Sequence, residues 1–283
     1  MSIETVRGFV NTWCADENDH LNVQFFAAFF EDASVQFQTL CGLAMAERQR
    51  PIVRHVRFHS ELRVNEAVHV LSHAVAADRV VHRLVETTSG RLSATCIDVF
   101  ADAPQAFREA VKGQAGDLPD AAAGRSFPTD PKSPDPGGLA PAGGQVVLRT
   151  MLRPQHCDGA GLMTDSALFA CNSDSAPHFW KLVGIETPWL EDNRLGRVAM
   201  EIKANRIGPA HTGDPIHVVC RIVSTGRATL SFENHFVSTE TGKVFAILQA
   251  TGLLMDLDTR RAASLPDFVR DRAEARIREA SAG

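Results

Sequence analysis

Residues 16–43, DENDHLNVQFFAAFFEDASVQFQTLCGL, contain the pattern that decides the fold. A polar turn at 16–22 leads into a stretch whose apolar residues recur three or four positions apart, which is the spacing of one buried helix face. Those residues are Phe26, Phe29, Phe30, Ala33, Phe37 and Leu40. Asn22 stands where a helix N-cap belongs and Gly42 where a helix stops. The pattern predicts one long helix over residues 23–41.

The same pattern returns in the second half of the chain. Residues 158–185 read DGAGLMTDSALFACNSDSAPHFWKLVGI, which aligns without gaps and pairs Asp16 with Asp158 and Gly42 with Gly184. Further on, RVNEAVHV (63–70) aligns with HTGDPIHV (211–218), and TTSGRLSAT (87–95) with TETGKVFAI (239–247). The shared order of these segments indicates a duplicated unit.

Each copy has the same order of elements. A short strand (5–14 or 145–153) precedes the helix, and alternating, β-rich segments follow it. In the second copy these segments are 198–207, 216–224, 228–238 and 243–257. A long helix followed by an antiparallel meander buries its apolar face if the sheet curls around it. We therefore predict an α+β fold with two helix–sheet units, whose sheets pair edge to edge.

A change of composition separates the two copies. Residues 104–144 contain seven of the fourteen prolines and many glycines, so apart from a short helix near 106–113 we expect a linker that does not order itself. The predicted domains are 1–103, the linker 104–144, a second unit at 145–260, and a tail at 261–283. The tail is an amphipathic, charge-paired helix, which is typical of a docking or surface helix.

Charge and cysteine content limit the classes of function. A net charge of −5 and a pI of about 6.1 argue against nucleic acid as the main partner. The six cysteines form no C-x-x-C pair or zinc-like spacing with histidine, so we expect no metal and a reducing, cytoplasmic location. No run of residues is apolar for long enough to predict a membrane span.

The segment that precedes and includes the first helix resembles the opening of hot-dog thioesterases of the 4-hydroxybenzoyl-CoA thioesterase type. In that family a strand ends in D-x-N-G-H-x-N, followed by an aromatic pair, a helix reading F-E-x-A, and L-G-L. The matching residues here are Asp16, Asn18, His20, Asn22, Phe25, Phe26, Phe30, Glu31, Ala33, Gly42 and Leu43. The family's strand motif E-L-R-V-G-D is echoed by Glu61-LRVNEAVHV. The duplicated chain resembles the tandem, or double hot-dog, form.

Two departures from the family pattern bear on function. Asp19 replaces the glycine of the turn, and the second copy keeps Asp158 without the matching histidine and asparagine. The first copy alone therefore has the full motif.

The resemblance implies that Asp16 is the base or nucleophile of thioester hydrolysis and that the Val23 amide stabilises the oxyanion. Physical chemistry agrees, since a helix N-terminus offers free N–H groups and partial positive charge. Asp16 could also be a turn residue satisfied by local amides. Asp158 is the equivalent candidate of the second copy.

Further candidates for the catalytic site are Asn18, His20 and Glu31. His20 either orients Asp16 or lines the pocket, and the alternative is a loop histidine bonded to backbone. Glu31 is either a second carboxylate directed at the acyl pocket or a surface residue. Asp32 and Asp174, which occupy matching helix positions, are either functional or structural.

The candidate substrate-binding residues fall into two groups. Asn22, Phe26 and Phe30 would line the acyl path along the first helix, although Asn22 is also an N-cap and the phenylalanines are also core. The phosphates of coenzyme A require basic residues, for which the candidates are Arg54 and Arg57 in the first copy and Lys203 and Arg206 in the second. The alternative for these four is a solvated strand face.

The leading functional interpretation is an enzyme that hydrolyses an acyl-CoA or acyl-carrier-protein thioester, with no cofactor besides the coenzyme A of the substrate. A double hot-dog hydratase of enoyl-CoA is an alternative, but its motif S-G-D-x-N-P-x-H is absent from this chain. A non-catalytic acyl-thioester-binding protein is the third interpretation. A homo-oligomer of such chains is compatible with all three.

Overall fold

The computed structural model describes residues 2–100, 103–133, 138, 140–141 and 143–282. Contacts divide the chain into two compact units, residues 1–131 and 132–283. Each unit has one long helix followed by antiparallel strands, so the predicted α+β class is confirmed. The residues of the predicted linker at 134–137, 139 and 142 lie outside the described residues.

The first unit is a five-stranded antiparallel sheet with a long helix, α1 (Val23–Leu40), and a short helix, α2 (Gln105–Lys112). Its strands are β1 (Ile3–Phe9), β2 (Val53–Phe58), β3 (Ala67–Ala76), β4 (Arg79–Glu86) and β5 (Leu92–Val99), in the order β1-β3-β4-β5-β2. Both helices lie within a few residues of their predicted positions, whereas β1 ends five residues before the strand predicted at 5–14.

Helix α1 lies against the sheet with the face that its periodicity predicts. Phe30 and Phe37 are fully buried, and burying each contributes about 1.5–3 kcal/mol. The helix stops where Gly42 adopts a φ of 89°, a left-handed conformation that favours glycine. Strand β1 approaches the helix closely: a Cβ at Gly8 would lie 2.4 Å from Cε1 of Phe29. The glycine therefore permits this packing.

The second unit repeats this arrangement with helix α3 (Asp165–Lys181). Its strands are β6 (Gln145–Met151), β7 (Leu195–Arg206), β8 (Pro215–Thr225), β9 (Thr229–Ser238), β10 (Val244–Asp256) and β11 (Arg261–Ala263). Five of them run in the order β7-β10-β9-β8-β6, and β11 pairs with β10. The short helix α4 (Thr187–Asp192) and β11 are additions that the periodicity does not predict.

The C-terminal tail forms helix α5 (Asp267–Ala282). It packs on β8, and its residues Val269 and Ala273 are fully buried. The tail is therefore a docked helix of the second unit. Within the described part of the chain, no helix is long and apolar enough to cross a membrane.

The segment at 113–131 differs from the expectation of a linker that does not order itself. Its backbone carbonyls accept hydrogen bonds from side chains of the sheet: Arg57 Nη1 donates to the carbonyls of Ala121 (2.7 Å) and Ala123 (2.9 Å). Ala122 is buried in an apolar cluster with Val53, Val81, Ile97 and Val99 of the strands. The order of this segment comes from the sheet beneath it and not from its own composition. The domain limits predicted from composition stay predictions.

This packing predicts that a charge at Ala122 will destabilise the first unit. Ala122→Asp would bury a carboxylate without a partner among valines and isoleucine, at a cost of about 3 kcal/mol. Ala115→Asp is the matched control, because Ala115 lies in the same segment and is exposed. Urea denaturation of both variants measures the difference. Equal stability of the two variants would contradict the packing role.

Candidate active site

The residues that precede α1 form a closed turn around Asp16, here called the Asp16 turn (16–22). Asp16 Oδ1 accepts hydrogen bonds from the backbone N–H groups of Asn18 (2.8 Å) and His20 (3.2 Å). The Asp16 N–H donates to the His20 carbonyl at 2.8 Å, and Asp19 completes the turn with a φ of 60°. Aspartate tolerates this left-handed conformation, so the family's glycine is dispensable here.

Helix α1 begins immediately after the Asp16 turn. The Asn22 N–H donates to the Cys14 carbonyl (2.9 Å), and the Asn22 side chain accepts from the Gln24 N–H (3.1 Å), which makes Asn22 the N-cap. Val23 is the first helical residue, and its N–H has no acceptor within its own helix. A helix N-terminus with partial positive charge thus follows immediately after the Asp16 turn.

The Asp16 carboxylate is half-buried. Burial raises the pKa of Asp16 above its ordinary value, and the two backbone N–H groups of Asn18 and His20 oppose this shift without cancelling it. Among the described residues, none donates a hydrogen bond to Asp16 Oδ2. One oxygen therefore fixes the turn, and the other remains available to take a proton or to attack a substrate.

His20 brings a second carboxylate to the turn. Its side chain is largely buried, with Nε2 3.0 Å from Glu61 Oε2. The chain around Glu61 is held there by backbone contacts, since the Leu21 N–H donates to the Leu62 carbonyl at 2.8 Å and His20 forms a bridge with Arg63. Sequence reasoning missed Glu61 as a site residue, although it opens the strand motif that echoes the family.

The helix acids lie away from the turn. Glu31, which is half-buried, is eight residues beyond Val23, or about 12 Å along the axis. Asp32 is solvent-exposed; partial desolvation raises its pKa, and the charge of Arg54 opposes that shift. Asp174 on α3 is likewise exposed. Asp16, Asn18, His20 and Asn22 are thus brought together, whereas Glu31 is not.

Phe26 and Phe30 are part of the helix–sheet interface. The Phe26 ring meets Phe58 edge-on at 5.1 Å, and the Phe30 ring lies 6.2 Å from the His82 ring. Any acyl group that follows α1 would pass these side chains in turn.

Three of the four basic candidates are buried and do not face outward as a phosphate site would require. Arg54 is buried and donates two hydrogen bonds to Asp98, from Nε at 2.9 Å and Nη2 at 2.7 Å. Arg57 is buried against the carbonyls of segment 113–131. Lys203 is only 1% exposed. Their phosphate-binding role stays a prediction, and burial makes it unfavourable.

Arg206 and the second turn distinguish the two copies. Asp158 Oδ1 accepts from the N–H groups of Ala160 (2.9 Å) and Leu162 (3.0 Å), so the turn geometry is repeated. At the helix start, however, Arg206 forms an ion pair with the buried Asp165 and donates to the Met163 carbonyl at 3.0 Å. Leu162 stands where the first copy has His20. The second turn therefore keeps its shape and its aspartate but lacks the histidine.

Comparisons with known proteins agree with this architecture. The family model of the thioesterase-like superfamily matches residues 152–273. A comparison with curated proteins finds no significant match.

Solved structures with the same fold span nearly the whole chain. A protein assigned as an oleoyl thioesterase from Lactobacillus plantarum has a TM-score of 0.64 at 8% identity, covering 94% of this chain and 98% of its own. The 12:0-ACP thioesterase from Umbellularia californica has a TM-score of 0.61 at 10% identity, covering 89% and 94%. An acyl-ACP thioesterase from Bacteroides thetaiotaomicron has a TM-score of 0.59 at 10% identity, covering 87% and 96%.

The fold and the partial family match together indicate the class. The chain has the double hot-dog fold that the resemblance of its sequence implies, and residues 152–273 match the thioesterase-like superfamily. The family model matches the second unit, whereas the full turn motif lies in the first.

Proposed function

We propose that the protein hydrolyses an acyl-CoA or acyl-carrier-protein thioester at the Asp16 turn. The observation that supports this most is the half-buried Asp16, which is held by one oxygen just before α1 while no described residue donates to the other. Its raised pKa makes the carboxylate a stronger proton acceptor than an ordinary aspartate. The thioesterase structures with this fold support the reaction class.

The chemistry can follow two courses from this geometry. As a base, Asp16 takes a proton from water, the water oxygen bonds to the acyl carbon, the carbon–sulfur bond breaks, and the proton passes from Asp16 to the departing thiolate. As a nucleophile, Asp16 itself bonds to the acyl carbon, the thiolate leaves, and water then hydrolyses the mixed anhydride. In both courses the Val23 N–H would donate to the developing oxyanion.

A panel of acyl-CoA and acyl-carrier-protein thioesters tests the proposal by the release of free thiol. Loss of an enoyl chromophore without thiol release would identify the hydratase alternative, and binding without turnover would identify a non-catalytic protein. After a single turnover in heavy-oxygen water, label found in the Asp16 carboxylate would identify the nucleophilic course, because water that attacks the Asp16 carbonyl carbon of the anhydride leaves its oxygen there.

Glu61 is expected to position His20 at the turn. Glu61→Gln should lower kcat by up to about 10²-fold, because the imidazole loses the carboxylate that orients it, and should leave KM nearly unchanged. Glu66→Gln is the matched control: Glu66 is similarly half-exposed and pairs with Arg91 at 2.8 Å. Partial recovery in Glu61→Asp would support the positioning role. If both glutamine variants behave alike, Glu61 has no such role.

A further inference from the structure

A row of buried polar side chains crosses the sheet of the first unit on the face that packs against α1. Its members, here called the polar row, are Thr5 on β1, Ser72 on β3, His82 on β4, Asp98 on β5 and Arg54 on β2. Ser72 pairs with His82 in the strand register, and Asp98 pairs with Arg54. Each is less than one-tenth exposed. The proposed hydrolysis uses none of them.

The members of the polar row contact one another across the strands. Thr5 Oγ1 lies 2.8 Å from Ser72 Oγ, and Ser72 Oγ lies 2.7 Å from His82 Nδ1. His82 Nε2 is 3.4 Å from Asp98 Oδ2, which is long for a hydrogen bond, and Arg54 holds both Asp98 oxygens. Burial raises the pKa of Asp98, but the charge and hydrogen bonds of Arg54 outweigh it and hold the pKa below the usual range. The row therefore contains a fixed ion pair.

The contacts of aromatic side chains of α1 show which part of the helix lies over the polar row. Near the helix start Phe26 meets Phe58, and beyond the row Phe37 packs with Val80 in an apolar cluster. Phe30, between them, lies over His82 of the row. From Val23 to Phe30 the helix rises about 10 Å. The row is therefore that far along α1 from the proposed reaction centre.

A buried ion pair is a weak source of stability, because desolvation consumes most of its attraction and apolar side chains often replace it without loss. The ion pair has a stronger effect on an apolar acyl chain beside it than on the stability of the fold. An alkyl chain that follows α1 meets phenylalanine side chains first and then the polar row. To continue, it would have to separate bonded polar groups and leave them buried without partners.

We propose that the polar row is the far wall of the acyl site and limits the substrate to acyl groups that reach about 10 Å from the thioester carbonyl. A fully extended chain advances about 1.2 Å per bond, so this length corresponds to roughly eight bonds. The substrate class is therefore short- to medium-chain acyl thioesters. This inference rests on the proposed hydrolysis at the Asp16 turn.

The first experiment measures kcat/KM for a series of saturated esters from butanoyl-CoA to hexadecanoyl-CoA. In the wild type, kcat/KM should rise toward octanoyl-CoA and fall by about tenfold or more beyond decanoyl-CoA, since one buried polar group left unsatisfied has an effect of this size. The affinities of the corresponding S-alkyl-CoA thioethers, which cannot be hydrolysed, should show the same limit by calorimetry.

The second experiment removes the wall. Arg54→Met with Asp98→Leu replaces both charges by apolar side chains, and the limit should move to longer chains in both assays. His82→Leu, which keeps the ion pair, should also shift the limit to longer chains. It replaces the double variant in both assays if the double variant does not fold. Val81→Ala is the control for destabilisation alone, because Val81 is buried with Val53 and Ile97 on the opposite face of the sheet.

The outcomes separate the wall from the reaction. Hydrolysis without a length limit in the wild type, or the same limit in a folded wall variant, overturns the polar row as a wall and leaves the proposed function intact. A length limit in thioether binding with no hydrolysis of any ester overturns the proposed function and leaves the wall intact. A shift of the limit in Val81→Ala equal to that in the wall variants also overturns the inference.

Discussion

Replacement of Asp16 by asparagine is expected to lower kcat for thioester hydrolysis by about 10²–10⁴-fold, the usual contribution of a positioned acid–base group. An asparagine oxygen can still accept from the Asn18 and His20 N–H groups, so the Asp16 turn should keep its shape. The amide can neither take a proton from water nor attack the acyl carbon. The loss should therefore appear in kcat without unfolding, measured by thiol release and circular dichroism.

The second copy supplies a matched control for this variant. Asp158→Asn changes the same residue type in a turn with the same pair of backbone hydrogen bonds. Because the second turn has Leu162 in place of His20, Asp158→Asn should lower kcat only slightly. Equal losses in the two variants would indicate two working sites. A loss in Asp158→Asn alone would place the reaction in the second unit.

The pH dependence of the wild type gives an independent check on Asp16. Because burial raises the pKa of this group, kcat/KM should fall on the acid side at a pH above the ordinary aspartate range. The same shift affects the free energy of unfolding. A group whose pKa is higher in the folded state stabilises the protein at low pH, and this contribution is lost as the pH rises through the folded-state pKa. Asp16→Asn, which does not ionise, should therefore gain stability relative to the wild type as the pH rises toward neutrality.

Much of the fold could be predicted because local pattern and tertiary packing agree. The periodic phenylalanines of α1, the Asn22 cap and the alternating strands each indicate their structure within a short window. The conformation around Asp16 was predictable for the same reason, since the hydrogen bonds of Asp16 join it to residues at most four positions away.

The contacts that sequence reasoning missed are long-range. His20 and Glu61 meet only when the chain after Ser60 folds back onto the turn, and no local spacing predicts this. The sequence predicts Arg54 and Arg57 on an outward face, because a charged strand is usually solvated on one face. Here helix α1 covers one face and segment 113–131 covers the other. An aspartate within the apolar strand ATCIDVF was the available signal that an interior cation would be needed.

Removal of Asp98 alone is expected to destabilise the first unit by about 3–5 kcal/mol, because it leaves the Arg54 guanidinium buried without its counter-ion. Asp98→Leu, measured by urea denaturation, should show this loss. Arg54→Met with Asp98→Leu should recover most of it, since neither side chain then carries a charge. A double variant as unstable as the single one would mean that Asp98 matters for reasons other than its charge.

An exposed ion pair of the same unit shows how much of this effect is due to burial. Arg79 Nη2 lies 2.7 Å from Asp130 Oδ1, the same separation as Arg54 Nη2 from Asp98 Oδ2, but both side chains of the pair are solvent-exposed. Water solvates either partner when the other is removed, so Asp130→Leu should cost at most about 1 kcal/mol. A cost equal to that of Asp98→Leu would contradict burial as the cause.

The lowered pKa of Asp98 determines the pH range in which the buried pair stabilises the protein. A carboxyl whose folded pKa lies below its unfolded value contributes stability above the unfolded pKa and loses it as pH falls through the folded one. The pair therefore stays ionised well below the ordinary aspartate range. Stability of the wild type and of the Arg54→Met, Asp98→Leu variant should respond differently to pH only under acid conditions. At neutral pH the two proteins differ in polarity and not in protonation, so a longer acyl limit in the variant can be attributed to loss of the polar wall.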